Sequence, residues 1–232
     1  MDIRNKKLER NYFHCYATAN DQSLYFQDLQ NLMRLKKYDS GYRKIKLFIA
    51  ISEVKTVGIL DRLFMKLIKK MFHMHPSIEL KEVVFKNNVG RDFSSFESLF
   101  LKVKQIAHSD DYIFFQNRSG HGPFRKQWYT NFVKQFEKFE SIAICGSTIN
   151  FMDHPNRSLN KNVPHVQTYS FLTKVFYMTM LNGNFPGSEE TTKFDIICKG
   201  EIAFSQFFLE KNTISPVLNG QMKPFLTKVK QL

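Results

Sequence analysis

At 232 residues, 43% of them hydrophobic and 15% aromatic with 24 Phe, the chain has ample apolar material for one sizeable core, too little length for two large domains, and no signature of disorder. Its formal charge of +13 favours anionic company: nucleic acid, an acidic membrane surface or phosphorylated substrates. The basic residues cluster at 4–10, 34–46 and 66–70 without forming a continuous arm, and Cys15, Cys145 and Cys198 lack the spacing of a zinc site or a disulfide framework, which suits a reducing compartment.

The N-terminus is basic but has no apolar signal-peptide core, and no run reaches the ~20 apolar residues of a membrane span, so a cytoplasmic location is expected. Residues 11–18 (NYFHCYAT) read as an aromatic strand ending at the turn signal Ala19-Asn20-Asp21, and residues 23–37 follow at helical spacing. A continuous apolar run at 46–52 (KLFIAIS) predicts a strand covered on both faces. Next, Ile59, Leu60, Leu63, Phe64, Leu67, Ile68, Met71 and Phe72 form the apolar stripe of a helix carrying Arg62, Lys66, Lys69 and Lys70 opposite. Such a stripe packs on a core or, with that basic flank, touches an anionic bilayer.

A third strand at 82–85, a helix at 93–107 and a fourth strand at 112–115 (YIFF) complete a β-α-β-α-β-α-β order from 11 to 115. That order implies an α/β fold with a mainly parallel sheet flanked by helices, and a ligand at the carboxyl ends of the strands. Beyond it come a helix at 128–139, a strand at 141–147, a polar loop at 150–165, a strand at 167–171, a helix at 173–181, a Gly/Pro/Asn-rich connection at 182–192, a last helix opening at 202–210 and an edge strand at 215–218. No repeat and no domain boundary are evident, so 1–232 is read as one domain.

Two polar loops sit at the expected ligand edge. Asn87-Asn88-Val89-Gly90-Arg91-Asp92 joins a strand to a helix. Gly90 suits positive φ, the helix N-terminus offers N–H groups to an anion, Arg91 suits a diphosphate, and Asp92 suits a cap, a ribose or a base. An ordinary capped β-α turn explains the same residues. The second loop, Gln116-Asn117-Arg118-Ser119-Gly120-His121-Gly122-Pro123, leaves the YIFF strand at the same edge.

These residues resemble a known family. Strand, Asn-x-Gly, helix, Asp-Tyr, apolar strand, polar loop and Pro follow in the order of GT-A glycosyltransferases of the family-2 type. A divergent branch related to rhamnan-synthesis and to viral and bacterial surface-glycan transferases is more similar still. The shared pattern runs through Asn88-Val89-Gly90-Arg91-Asp92, Phe115 to Pro123, Gly146-Ser147-Thr148-Ile149-Asn150, Pro164-His165-Val166-Gln167 and Glu201-Ile202-Ala203-Phe204-Ser205.

The resemblance implies a GT-A (Rossmann-like) single domain using a nucleotide sugar, with about 1–123 binding the donor and about 124–232 the acceptor, a glycan or a lipid-linked sugar. Tyr16, Ala17, Thr18 and Asn20 would face base and ribose. Asn88, Gly90, Arg91, Asp92, Asn117, Arg118 and Ser119 would lie at the donor. Glu201 matches the general base of inverting members, with Asp195 as its substitute. His121, Thr148, Asn150, His165 and Gln167 would contact acceptor or sugar. Trp128 suits sugar stacking or the core.

One departure matters. Gln116-Asn117-Arg118 stands where the family carries a metal-binding Asp-x-Asp, and an amide with a guanidinium suits neither Mg²⁺ nor Mn²⁺. Arg118, Arg91 or His121 would then neutralise the diphosphate. Asp92, or Asp110-Asp111 ahead of the fourth strand, remains as a metal ligand. Rival readings are a nucleic-acid-binding protein, though no recognition helix or stacking motif is present, and a non-catalytic glycan-binding domain.

Overall fold

The structure, a computed structural model, describes residues 10–21, 24–139 and 142–211. Its first half alternates strand and helix as the apolar periodicity demands: β1 (Tyr12–Ala19), α1 (Phe26–Lys37), β2 (Ile45–Glu53), α2 (Ile59–Phe72), β3 (Ile78–Asn87), α3 (Arg91–Lys104) and β4 (Tyr112–Asn117). The second half adds α4 (Trp128–Glu137), β5 (Ile144–Gly146), β6 (Ile149–Asn150), β7 (His165–Val166), β8 (Ser170–Lys174) and α5 (Val175–Thr179). A final helix runs through α6 (Lys193–Asp195), a π-helical stretch (Ile196–Ile202) and α7 (Ala203–Glu210).

The main sheet has the order β3-β2-β1-β4-β8-β5. Strands β1 to β4 are mutually parallel, while β8 pairs antiparallel to both β4 and β5. This is the mainly parallel, Rossmann-like α/β architecture that the residue pattern and the family resemblance implied. The helices follow from the direction of winding. The chain moves from β1 outward to β3 with α1 and α2 on one face, then returns past β1 to β4 with α3 on the other, as right-handed crossovers require. The strand order therefore reverses between β1 and β4, and a crevice opens beyond their carboxyl ends.

Each face has its own core. Phe93, Phe96, Leu99, Phe100 and Val103 of α3 pack with Phe115, Phe171 and Phe204. On the opposite face Leu32, Leu35, Phe64, Ile68 and Phe72 meet Trp128, Tyr129, Val133 and Phe136 of α4. Only part of the α2 stripe is used. Phe64, Ile68 and Phe72 are buried, but Ile59, Leu60, Leu63 and Leu67 are exposed beside Arg62, Lys66, Lys69 and Lys70, none of which forms an ion pair with a described residue.

The periodicity misjudged the second half in places. The strand expected at 167–171 is β8, three residues later, because Ser170 to Lys174 is the stretch in register with Gln116 to Tyr112 of β4. The helix expected at 173–181 shrinks to α5, and the last helix begins nine residues earlier than expected. The edge strand expected at 215–218 lies outside the described residues. A two-stranded sheet, β6 with β7, was not anticipated; it pairs Ile149 with Val166 and Asn150 with His165. It is clamped by α7, where Ser205 Oγ accepts from the Val166 N–H at 2.9 Å and Gln206 Nε2 donates to the Pro164 carbonyl at 2.8 Å.

Candidate functional site

The two polar loops meet at the carboxyl edge of the sheet. Asn117, ending β4, donates from Nδ2 to Asp92 Oδ2 at 2.7 Å, while its Oδ1 accepts from the N–H groups of Ser119 and Gly120. Burial pushes the Asp92 carboxyl up from its ordinary value, against the pull of the Asn117 hydrogen bond and of Arg118, Lys86 and Arg91 nearby.

Gly90 adopts φ 68° and lies so close to the 187–190 connection that a Cβ would sit 1.9 Å from the Ser188 carbonyl oxygen. Its N–H donates to the Glu190 carbonyl at 3.0 Å. Gly90→Ala should therefore lower the free energy of unfolding by about 1–3 kcal/mol or more, through positive φ and forced displacement together. Chemical denaturation measures this, and unchanged stability would show that the first loop and the 187–190 connection can separate freely.

Arg118 spends four of its five N–H donors on its own chain. Nε donates to Asp28 Oδ2 at 2.9 Å, Nη1 donates to Asp21, and Nη2 donates to Thr18 Oγ1 at 3.0 Å and to the Ala19 carbonyl. Asp28 also accepts from the Tyr16 hydroxyl at 2.9 Å, and Asn31 donates to that hydroxyl and to the Arg118 carbonyl. The guanidinium thus spans the switch point between β1 and β4. Two carboxylates already balance its charge.

Not all of the residues expected to face a donor are accessible. Tyr16 is 1% and Ala17 0% exposed, which corrects the expectation that they face a base and ribose: β1 is covered on both faces, so its alternating side chains enter the two cores. Thr18 is buried against Arg118. Asn20, also buried, accepts from the N–H groups of Val54 and Lys55 and donates to the Lys55 carbonyl, stitching the ends of β1 and β2 together. Asn88, Arg91 and Ser119 are exposed. The start of α3 is a poorer anion cradle than expected, because the N–H groups of Arg91, Phe93 and Ser94 already donate to the Asn88 and Gly90 carbonyls.

A cation that the sequence reading overlooked completes this edge. Lys86, ending β3, donates to Ser52 Oγ at 3.1 Å and to the carbonyls of Val89 and Arg91, with no ion pair to a described carboxylate. Burial brings its ammonium pKa down to about 8, an effect that Asp92 and Glu97 oppose. No signal in the sequence marked it, since its partners are carbonyls and a serine.

The second constellation gathers around the small sheet. Glu201, in the π-helical stretch, accepts at Oε2 from the Thr168 N–H and hydroxyl at 3.0 and 3.1 Å, and its Oε1 lies 3.7 Å from His165 Nε2. His165 Nδ1 donates to the Val163 carbonyl at 2.8 Å, which leaves Nε2 facing Glu201. Thr148 donates to Gln167 Oε1 at 2.7 Å and meets the Tyr169 hydroxyl, while Asn150 accepts from the Met152 N–H.

The two constellations are joined: the Asn117 N–H donates to the Tyr169 carbonyl, one residue after Thr168, and Gly200 packs against the Phe93 ring of α3. The π-helical winding, frequent at functional positions, lies where Gly187, Gly200 and Phe93 crowd together. Asp195 stands apart; its N–H donates to the capping Thr192 hydroxyl, its carboxylate accepts from that hydroxyl, and it pairs with Lys199. His121 is exposed beside Gln27. Asp111 accepts from Asn11 and from the His108 N–H at the opposite end of β4, away from the two loops.

These donors do not fit a divalent cation. No three His, Cys, Asp or Glu side chains converge among the described residues. The carboxylate facing the second loop, Asp92, is already bonded by Asn117 and surrounded by cations. Among the described residues no helix is long and apolar enough to cross a membrane.

No protein-family model and no curated protein matches the chain. Among solved structures, a 4-diphosphocytidyl-2C-methyl-D-erythritol synthase is similar with a TM-score of 0.52 at 10% identity, covering 92% of this chain and 90% of its own. A mannosyltransferase from Pyrobaculum calidifontis, in complex with GDP-Man and Mn²⁺, gives 0.49 at 8% identity over 78% of this chain and 50% of its own. Mouse xyloside xylosyltransferase 1 gives 0.47 at 10% identity, over 88% and 82%. The likeness to the synthase is one of fold.

Proposed function

We propose that this protein is a glycosyltransferase that moves a hexosyl or deoxyhexosyl group from a nucleotide-diphosphate-sugar donor to a glycan or lipid-linked acceptor, with inversion, in the synthesis of a surface polysaccharide. The observation that carries this reading is the junction of the two loops at the switch point, Asp92 with Asn117, joined through Tyr169 and Thr168 to Glu201. Nucleotides are the ligands for which such a crevice is suited, and the synthase that shares the fold is named for a product with a diphosphocytidyl group. The exposed apolar and basic face of α2 supports a cytoplasmic protein resting on an anionic membrane.

The chemistry follows from the charges. An acceptor hydroxyl attacks the anomeric carbon and gives its proton to Glu201 Oε1, the oxygen that Thr168 leaves open. The anomeric C–O bond breaks, and the nucleoside diphosphate leaves with the electron pair. Lys86 and Arg91 take the counter-charge role, since Arg118 is occupied by Asp21 and Asp28.

A thermal-shift screen of nucleotide sugars with and without Mn²⁺ and chelator tests the reading, with stabilisation by at least one donor in either condition as the expected result. If no nucleotide or nucleotide sugar raises the unfolding midpoint, the proposal fails. The pH dependence is a second check. Binding a diphosphate raises the Lys86 pKa above its free value of about 8, so affinity falls as pH climbs through that value. Lys86→Arg, charged throughout, should flatten the profile. An identical fall in this variant would remove Lys86 from the site.

A further inference from the structure

A cavity of about 710 Å³ opens at the carboxyl end of β4, on the face covered by α4. It backs onto the donor side of the second loop, since Ser119 and Gly120, which line it, also donate their N–H groups to Asn117. Its size suits a small organic ligand. Its walls alternate two chemistries. Phe114, Trp128 and Phe132 form an edge-packed cluster with ring centroids 5.1 and 4.7 Å from Phe114, while Asn131, Ser147 and Ser170 supply amide and hydroxyl groups. An aromatic wall beside amide and hydroxyl groups matches a sugar ring, which has an apolar C–H face and a polar rim.

Two further observations narrow the ligand. Buried side-chain nitrogens of Arg34 and Trp128 have no hydrogen-bond partner among the described residues. Trp128 lines this cavity, and the Arg34 guanidinium lies 4.7 Å over Phe124, another lining residue. Such groups call for a partner. The lining also includes Arg125, with no ion pair to a described residue, and no carboxylate.

We infer that this cavity is the acceptor site and that it takes a sugar ring carrying an anionic group, a carboxylate or a phosphate. The assignment as acceptor site rests on the transferase reading; the ligand chemistry rests on the cavity alone.

Calorimetric titration of the full chain with methyl glucuronide, glucose 6-phosphate and methyl glucoside, alongside UDP and GDP, tests it. At least one anionic sugar should bind about tenfold or more tighter than the neutral one, the scale of one charge-assisted hydrogen bond, and the stronger of the two identifies the group. Asn131→Trp should fill the cavity and abolish sugar binding; Arg125→Ala, at an exposed position, should erase the preference for charge while the unfolding midpoint stays put. Equal affinity for neutral and anionic sugars, or unchanged binding in a folded Asn131→Trp, would overturn the inference. Nucleotide binding without sugar binding overturns it and spares the transferase reading, whereas sugar binding without nucleotide binding upholds the ligand chemistry and removes the acceptor role.

Discussion

Glu201→Gln is expected to leave donor binding unchanged and to slow sugar transfer by about 10²–10⁴-fold, the usual contribution of a general base. The substitution isolates the proton-accepting role because it preserves everything else around the side chain. Thr168 donates twice to Oε2, and the amide oxygen of Gln accepts both bonds equally well. The amide nitrogen then takes the place of Oε1 facing His165 Nε2. The variant therefore keeps its position and loses only its basicity. Nucleotide release in the presence of acceptor, measured beside a thermal-shift titration of the donor, separates the two effects. Full activity in Glu201→Gln would exclude it as the base. Asp195→Asn serves as the control: that carboxylate, held low by the Thr192 hydroxyl and by Lys199, accepts from the residue that caps its helix, and its loss should leave transfer intact.

Much of this site was legible in the sequence, because chain segments that meet in space each carried a local signal. Strands β1, β2 and β4 are apolar runs covered on both faces, and their direction follows from the helices between them. That placed both polar loops at one edge before any contact was known. The family-like motifs acquire a physical reason in the structure. Asp92 meets Asn117, Gly90 meets Ser188, Thr148 meets Gln167, His165 meets Glu201 and Val166 meets Ser205, so each motif supplies one half of a cross-chain contact.

What escaped were features that no local window encodes. Tyr16 reads as a polar-tipped aromatic at a strand end, and only the packing of α1 shows that its hydroxyl is spent on Asp28. The 182–192 connection reads as a loop, yet Ser188 and Gly187 lock the start of α3 to the π-helical stretch. Strand β8 was displaced because its register is set by β4, a partner more than 50 residues away. Lys86 drew no notice because its partners are carbonyls and a serine, which give no charge pattern along the chain.

Arg118 poses the sharpest choice, since the residue standing in place of a metal ligand is either a diphosphate partner or a brace. The structure favours the brace. Asp28 is 0% exposed, and its bonds come from Tyr16 and from Arg118. Arg118→Ala leaves that carboxylate buried without a counter-charge, and should lower the free energy of unfolding by about 3–5 kcal/mol. The deficit should depend on pH. Burial raises the Asp28 carboxyl above its ordinary value even with Arg118 beside it, and removing the guanidinium raises it further. A raised acid pKa means that the folded state holds its proton more tightly than the unfolded one, so stability is fully present below the unfolded pKa and is lost as pH rises through the folded pKa. The Arg118→Ala deficit should therefore be small in acid and full at neutral pH. The double variant Asp28→Asn with Arg118→Met removes both charges at similar volume and should recover most of the loss, as replaced buried ion pairs commonly do. Nucleotide affinity in that double variant then decides the question. If Arg118 is a brace, the repaired crevice binds its donor as tightly as the parent. If affinity collapses while stability returns, Arg118 itself holds the diphosphate, and its bonds to Asp21 and Asp28 must open for the donor to enter.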